Sequence, residues 1–538
     1  MPFTRVLDSH NSPIELGQLP VGPRHGTVGF TLCPGKRQAN SVSGHWQRDM
    51  DIDLDAIGRW GAAAVVTLMP LDELRAVQAD GIGDACEARG MEWYHLPITD
   101  VDVPDAAFEA AWCYAGLRLR AHLRQGLNVL VHCRGGLGRS GTIAARLLVE
   151  LGWSPAEAIK AVRAQRKGAI ETAAQEKYVH QWAGAVPPER DLHDARVLGC
   201  VLGGAVGDAF GYAVEFDRWT TIQRKYGTKG LQQPVLRDGE LVVSDDTQMT
   251  LFTLEALIES LPTQGQPASS LQLRPFLAAC QRAYRRWGHT QGVPLSDELL
   301  SGSQLVHSPA LRQRRAPGNT CLSAVRAGAG GTCEQPINES KGCGAVMRTA
   351  PLGLLANAPA EQALVLGCTA GALTHGHVDG WLPAGLLAAI VQHLLQGQKL
   401  PSAVVQALAM AEQQVEPTDT TTERLLQAAL RHAQAELPPA VVWLSLGEGW
   451  TGDEALAIAV YAAASTRSFE DAIRVAANHD GDSDSTASIA GQLVGVRDGI
   501  LAVPHAWVRR LDVLPQALAL IDRFLALDNA AQHYCPVK

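Results

Sequence analysis

Val129-Leu-Val-His-Cys133-Arg-Gly-Gly-Leu-Gly138-Arg139-Ser140-Gly141 decides the fold of the first third of this 538-residue chain. The apolar, β-branched run Val129–Val131 reads as a buried strand that stops at His132 and Cys133. Beyond a glycine-rich loop, residues 140–150 have helical apolar spacing. A cysteine therefore ends a strand, and a loop of small residues returns to an arginine at a helix N-terminus. Such a loop suits an anion. Gly135, Gly136 and Gly138 let the backbone of residues Arg134, Gly135, Gly136, Leu137 and Gly138 turn its N–H groups inward. The helix start adds partial positive charge, and Arg139 offers a planar fork matched to phosphate oxygens. The same field favours Cys133 as thiolate, the nucleophilic form, with Ser140 placed to donate to the sulfur as it leaves.

Outward from this loop, Thr27–Leu32, Ala62–Leu68 and Trp93–Leu96 read as strands. Segments at 53–60, 71–79, 81–89 and 105–125 read as helices, and Ser154 with Glu157 forms a capping-box pattern. The alternation predicts an α/β domain, a mixed sheet flanked by helices. Residues 1–26 look irregular.

The loop, with Cys-x5-Arg-Ser between a strand and a helix, resembles the Cys-based phosphatases of the dual-specificity superfamily. Leu32-Cys-Pro-Gly-Lys36, Pro97-Ile-Thr-Asp100, Val103-Pro-Asp105 and Gly168-Ala-Ile-Glu-Thr172 resemble the kinase-associated phosphatase group. The resemblance implies a phosphatase domain over residues 1–185, acting through a cysteinyl-phosphate without a cofactor. Such chemistry needs an acid for the leaving oxygen, and Asp100, Asp102 and Asp105 are available. The Pro97-Ile-x-Asp alignment selects Asp100, 33 residues before Cys133, with Asp102 second. Asp105 reads as a helix N-cap. Gln175 falls where related enzymes keep a water-orienting residue, although a Gln on a surface helix is ordinarily without function.

Residues 186–193 are rich in proline and polar groups and read as a linker. Past them the chain becomes Ala/Leu-rich with helical periodicity, as at 246–260, 380–395, 452–466 and 489–500. An all-α domain over 194–530 is predicted. Three acidic clusters interrupt it: Asp208 with Glu215, Ser244-Asp245-Asp246-Thr247, and Asp480-Gly-Asp482-Ser-Asp484-Ser485. A single such cluster would be a helix cap. Several beside apolar helices call for a cation, and oxygen donors select hard ones. An EF-hand is excluded, because its sixth position is Ser485 and its twelfth Gly491.

The motifs Gly203-Gly-Ala-Val-Gly-Asp-Ala209, Ser244-Asp-Asp-Thr-Gln-Met-Thr250, Gly342-Cys-Gly-Ala-Val-Met-Arg348, Thr374-His-Gly-His377 and Asn478-His-Asp-Gly-Asp-Ser-Asp-Ser485 resemble the ADP-ribosylglycohydrolase family, which includes the dinitrogenase reductase-activating glycohydrolase. The resemblance implies two divalent cations, Mg²⁺ or alternatively Mn²⁺, held by Ser244, Asp245, Asp246, Asp482, Asp484 and Ser485. Two positions depart from the pattern. Ser244 replaces the usual Thr, and Asp480-Gly-Asp replaces Gly-Gly-Asp. ADP-ribose would lie against Gly342, Gly344 and His375, with Asp246 or Glu215 taking the proton from attacking water. His377 and Trp450 read as core residues.

The implied whole is a bifunctional hydrolase for phosphorylated or ADP-ribosylated proteins or small molecules. The alternative is that one domain only reads its ligand and targets the other. A net charge of −9 gives no general affinity for polyanions, although a nucleic-acid substrate stays open. The 11 scattered cysteines suit a reducing compartment. No unbroken apolar run of about 18 residues appears, so a cytoplasmic protein without a membrane partner is expected.

Overall fold

The computed structural model describes residues 6–41, 44–182, 184–261, 271–414 and 420–532. It divides into two compact units, Met1–Asp191 and Leu192–Lys538.

The first unit is built on a five-stranded sheet in the order Gly17–Pro20, Thr27–Leu32, Asn128–Cys133, Ala62–Thr67, Glu92–His95. The cysteine strand is central and runs parallel to both neighbours, whereas Gly17–Pro20 adds antiparallel at the edge. The sheet is thus mixed. Central placement buries Val129, Leu130 and Val131 completely, which accounts for their unbroken apolar run. Helices Met50–Arg59 and Ile82–Glu87 bury Leu54, Ile57, Ile82 and Cys86 together with Val65 and Leu130. Helix Gly138–Glu150 packs on the strands at 27–32 and 128–133.

Residues before 27 are not irregular throughout: Val6–Leu7 and Gly17–Pro20 are strands. Both are too short to show periodicity. Pro20 is tolerated because its strand is at the edge. Val6–Leu7 joins a small second sheet with Gly44–Gln47 and Arg37–Ser41. The Ser154–Glu157 capping box forms as its spacing predicts. The expected linker is partly helical, since Pro188 opens a helix to Gly211. Proline suits a first turn, where its missing N–H would be unpaired anyway.

The second unit is helical, and its described residues contain only isolated β-bridges. Its frame is one close helix pair, Pro188–Gly211 against Ser483–Asp498, running antiparallel. A Cβ on Gly199 would lie 2.1 Å from Gly495 O, on Gly207 2.1 Å from Ala487 O, and on Gly211 2.1 Å from Ser483 O. Glycines at every fourth position therefore bring two backbones into direct contact. This register sets Asp208 beside the Asp482–Ser485 turn. Helix Val378–Leu395 has mean hydropathy 1.3, long and apolar enough to cross a membrane, but 94% of it is buried inside this unit.

Candidate functional site

In the first unit, Cys133 ends its strand 3% exposed. Its Sγ lies 3.3 Å from Ser140 Oγ and accepts the Gly136 N–H at 3.2 Å. Of the three loop glycines only Gly136 has a left-handed backbone (φ 72°), and a Cβ there would strike Leu32 N at 2.4 Å. Gly138 is confined by Gln175 and Glu171, whereas Gly135 has open space. Leu137 is the N-cap of helix Gly138–Glu150, and no side chain caps it, so the first-turn N–H groups are left for a ligand. Arg134 is half-exposed at the rim.

Arg139 is buried and fully engaged. It donates to Glu73 through both Nη atoms at 2.6 and 2.9 Å, to Ile98 O at 3.0 Å, and pairs with Asp100 Oδ1 at 2.9 Å. Glu73, on helix Leu71–Ala76, was not identifiable from spacing because it lies 66 residues from Arg139. Asp100 is otherwise exposed. Beside it the β-branched Val101 takes φ 58°, a costly conformation that marks this turn as constrained. Asp102 turns its carboxylate onto the Val103 N–H, and Asp105 caps Ala106–Arg124 as expected.

Gln175 departs from the surface position expected of it. It is completely buried; its Oε1 accepts the N–H groups of Glu171 and Thr172, and its Nε2 donates to Asp102 O at 3.1 Å. It ties the acid turn to the 171–172 segment, next to Gly138. Lys36, which ends the Leu32–Lys36 motif, is also buried. Its Nζ donates to Arg134 O at 3.3 Å and sits 4.7 Å over the Trp46 ring; burial pushes its pKa down to about 8.

In the second unit, Ser244, Asp245, Asp246, Asp482, Asp484, Ser485 and Glu215 are all buried. Asp482 caps helix Ser483–Asp498 and Ser244 caps Asp245–Ser260, so the acidic residues sit at two helix starts. Asp208, given no role by the sequence reading, organises this junction. It accepts the Ser244 N–H at 2.9 Å, the Thr247 N–H at 3.0 Å, and the Thr247 hydroxyl. Its place in Gly207-Asp-Ala was the available signal.

Among the described residues no three His, Cys, Asp or Glu side chains are grouped as they would be around a metal ion. Each carboxylate is held by a neighbouring side chain instead: Glu215 by Asp484, Asp246 by Ser485, and Asp482 by the Cys343 thiol, which donates at 2.8 Å. Burial and the neighbouring charges push Glu215 up to about 9 and Asp245 to about 8, and push Asp246 and Asp484 well above the carboxylate range. Asp246 Oδ2 and Glu215 Oε2 are buried without a partner. Hard cations neutralise such an oxygen set, and the residues fit that group.

Gly342, Gly344 and His375 come together. A Cβ on Gly344 would lie 3.2 Å from the His375 ring and on Gly342 3.5 Å from it. His375 is buried and pushed down to about 3, hence neutral, with Nδ1 2.8 Å from Thr374 Oγ1. It supports the glycine turn from beneath. Arg348 secures that turn, donating to Gly344 O and Thr374 Oγ1, each at 2.7 Å. His377 is no core residue; it caps helix Val378–Leu395. Trp450 is 42% exposed rather than core, and its carbonyl accepts the Cys343 N–H. Its backbone thus pairs with the Gly342–Gly344 turn.

The family model described as ADP-ribosylglycohydrolase matches residues 188–533. The one described as Swiss Army Knife protein, DSP-PTPase phosphatase domain, matches residues 49–179. Cyclin-dependent kinase inhibitor 3 of Homo sapiens is 32% identical over 195 residues, 35% of this chain and 88% of its own length. The ADP-ribosyl-[dinitrogen reductase] glycohydrolase of Rhodospirillum rubrum is 26% identical over 346 residues, 62% of this chain and 97% of its own. A solved ADP-ribosylglycohydrolase-related protein complex is 25% identical and covers 62% of this chain and 99% of that one, at a TM-score of 0.40.

Proposed function

Because the chain belongs to the ADP-ribosylglycohydrolase family through residues 188–533 and carries a dual-specificity phosphatase domain ahead of it, we propose that both units turn over, one releasing phosphate and the other ADP-ribose. The observation that supports this reading is that reactive side chains gather at helix starts in each unit, uncapped in the first and capped by the acidic cluster's own side chains in the second. One set is Cys133, Ser140 and Arg139; the other is Asp245, Asp246, Asp482 and Asp484.

In the first unit Cys133 Sγ attacks phosphorus and the bond to the leaving oxygen breaks. Asp100 gives that oxygen its proton. Arg139 and the N–H groups of residues 134–138 hold the equatorial oxygens. Water then cleaves the cysteinyl-phosphate, with Asp100 taking its proton and Gln175 holding the turn from which Asp100 acts. Ser140 donates to the departing thiolate. No cofactor takes part.

The ADP-ribosylglycohydrolase family is metal-dependent. We assign a pair of divalent cations, Mg²⁺ in preference to Mn²⁺, to Ser244, Asp245, Asp246, Asp482, Asp484 and Ser485. When bound they supply Lewis acidity to water and to the distal ribose. The protein's own groups do the rest. Gly342 and Gly344 cradle the diphosphate over neutral His375. Asp246 or Glu215 takes the proton as water adds to the anomeric carbon and the bond to the acceptor breaks with oxocarbenium character.

The test uses the full chain with an aryl phosphate and an ADP-ribosylated protein. Cys133→Ser should abolish phosphate release and spare ADP-ribose release; Asp246→Asn should do the reverse. If either product never forms from wild-type protein, that unit is a reader that delivers the other to its substrate.

A further inference from the structure

The helical unit holds a cavity of about 930 Å³ that the chemistry above does not use. His479 and Asp480 line it, and they directly precede the Gly481-Asp482 pair. None of the assigned cation ligands lines it, nor does any of Gly342, Gly344, His375 and Trp450. The cavity is a separate compartment that shares one backbone wall with the acidic cluster. That wall is tight: the Asp482 N–H donates to Glu448 O at 2.9 Å, and a Cβ on Gly481 would fall 1.7 Å from the same oxygen.

Its charged side chains are unevenly paired. The three lining carboxylates are engaged. Asp471 pairs with Arg474 at 2.9 Å, Glu448 pairs with Arg218 at 2.8 Å, and Asp480 Oδ1 accepts the Trp219 N–H at 2.6 Å. Lys229 and Arg467 also line the cavity, are exposed, and have no carboxylate partner among the described residues. These are the two lining cations that no carboxylate holds, and their donors can meet an anion. Two indoles, Trp219 and Trp443, lie on the walls. Trp443 is held edge-on to Tyr461 at 5.4 Å and tilted on His479 at 5.5 Å. A ring already fixed in this way loses little freedom when a planar group stacks on it. The volume falls within the range of about 300–1,000 Å³ common for small-molecule pockets.

We infer that this cavity is a second binding site for a nucleotide, its base against the tryptophans and its phosphate at Lys229 and Arg467. The inference does not depend on turnover in either unit.

AMP is the probe, titrated by calorimetry into the full chain in the presence of chelator, and a variant at Lys229 and Arg467 separates this cavity from the Gly342–Gly344 turn. One AMP per chain is expected to bind. The Lys229→Glu/Arg467→Glu variant, altered only at exposed positions, should bind it about tenfold or more weakly, at an unchanged melting temperature. Phenyl phosphate should bind at least about tenfold more weakly than AMP, because it offers a smaller ring. Absence of AMP binding, or equal binding by the double variant, overturns the site. Equal binding of phenyl phosphate overturns the nucleotide assignment in favour of simple aryl phosphates.

Discussion

Arg139 Nη2 lies 2.9 Å from Asp100 Oδ1, so the arginine assigned to phosphate and the carboxylate assigned as acid are one ion pair. The partners differ in environment: the Arg139 side chain is 2% exposed and that of Asp100 61%. A buried fork thus anchors an exposed turn. On the proposed reading, entering phosphate would compete for the same guanidinium and release Asp100.

If Asp100 is the acid, Asp100→Asn should slow cleavage of poor leaving groups about 10²–10⁴-fold and leave phenols of low pKa little affected. Asp102→Asn should stay near wild type, because Asp100 and not Asp102 pairs with Arg139 among the described contacts. Rates across a series of aryl phosphates of graded leaving-group pKa separate the two residues. The opposite pattern would make Asp102 the acid.

Glu73 grips both Nη atoms of Arg139. Glu73→Gln keeps the shape but loses the charge-assisted fork, so the guanidinium is no longer aimed. A fall in phosphatase kcat/KM of about 10²-fold is expected, with ADP-ribose release untouched. Steady-state kinetics of both activities in one preparation check this.

Lys36 is held to about pH 8 by burial. Below that pH its ammonium adds positive charge to the loop through Arg134 O; above it the amine is neutral and the field weakens. Phosphatase kcat/KM should therefore fall on the alkaline side with an apparent pKa near 8, and Lys36→Met should flatten that limb at a lower plateau. A pH–rate profile of both proteins tests this.

The acidic cluster makes a stability prediction. Folded Asp245 and Glu215 keep their protons to about 8 and 9, whereas unfolded carboxylates lose theirs near about 4. Between these limits the folded state binds more protons. In chelator the helical unit should therefore lose stability as pH rises through that window. Mg²⁺ should restore it by binding only the folded form. Asp246→Asn removes one buried carboxylate, so it should raise the melting temperature in chelator while abolishing ADP-ribose release. Thermal denaturation at pH 5 and pH 8, with and without Mg²⁺, reads all three effects.

Gly207→Ala tests the helix contact that sets Asp208. Its Cβ would meet Ala487 O at 2.1 Å, so the two helices must separate. A cost of about 1–3 kcal/mol to the helical unit is expected. ADP-ribose release should be lost although every acidic residue is still present, and phosphatase activity should be unaffected.

What the sequence determined by itself was whatever is local. The strand–loop–helix around Cys133 and the Ser154–Glu157 cap rest on bonds spanning only a few residues. Apolar periodicity placed helices 245–260, 378–395 and 452–465 to within a residue or two. The acidic clusters were visible because several carboxylates in a few residues are conspicuous in any chain.

Tertiary structure alone decided the rest. Glu73 reaches Arg139 only because its helix packs beside the loop. Asp208 reaches Ser244, 36 residues away, only because two helices touch through glycines. Gln175, expected at the surface, is buried, and Trp450, expected in the core, is exposed. Residue type sets how costly burial is, but which neighbour fills the space depends on elements distant in the chain. That information lies in the packing, where backbone contact and paired charge select one arrangement from many with the same local pattern.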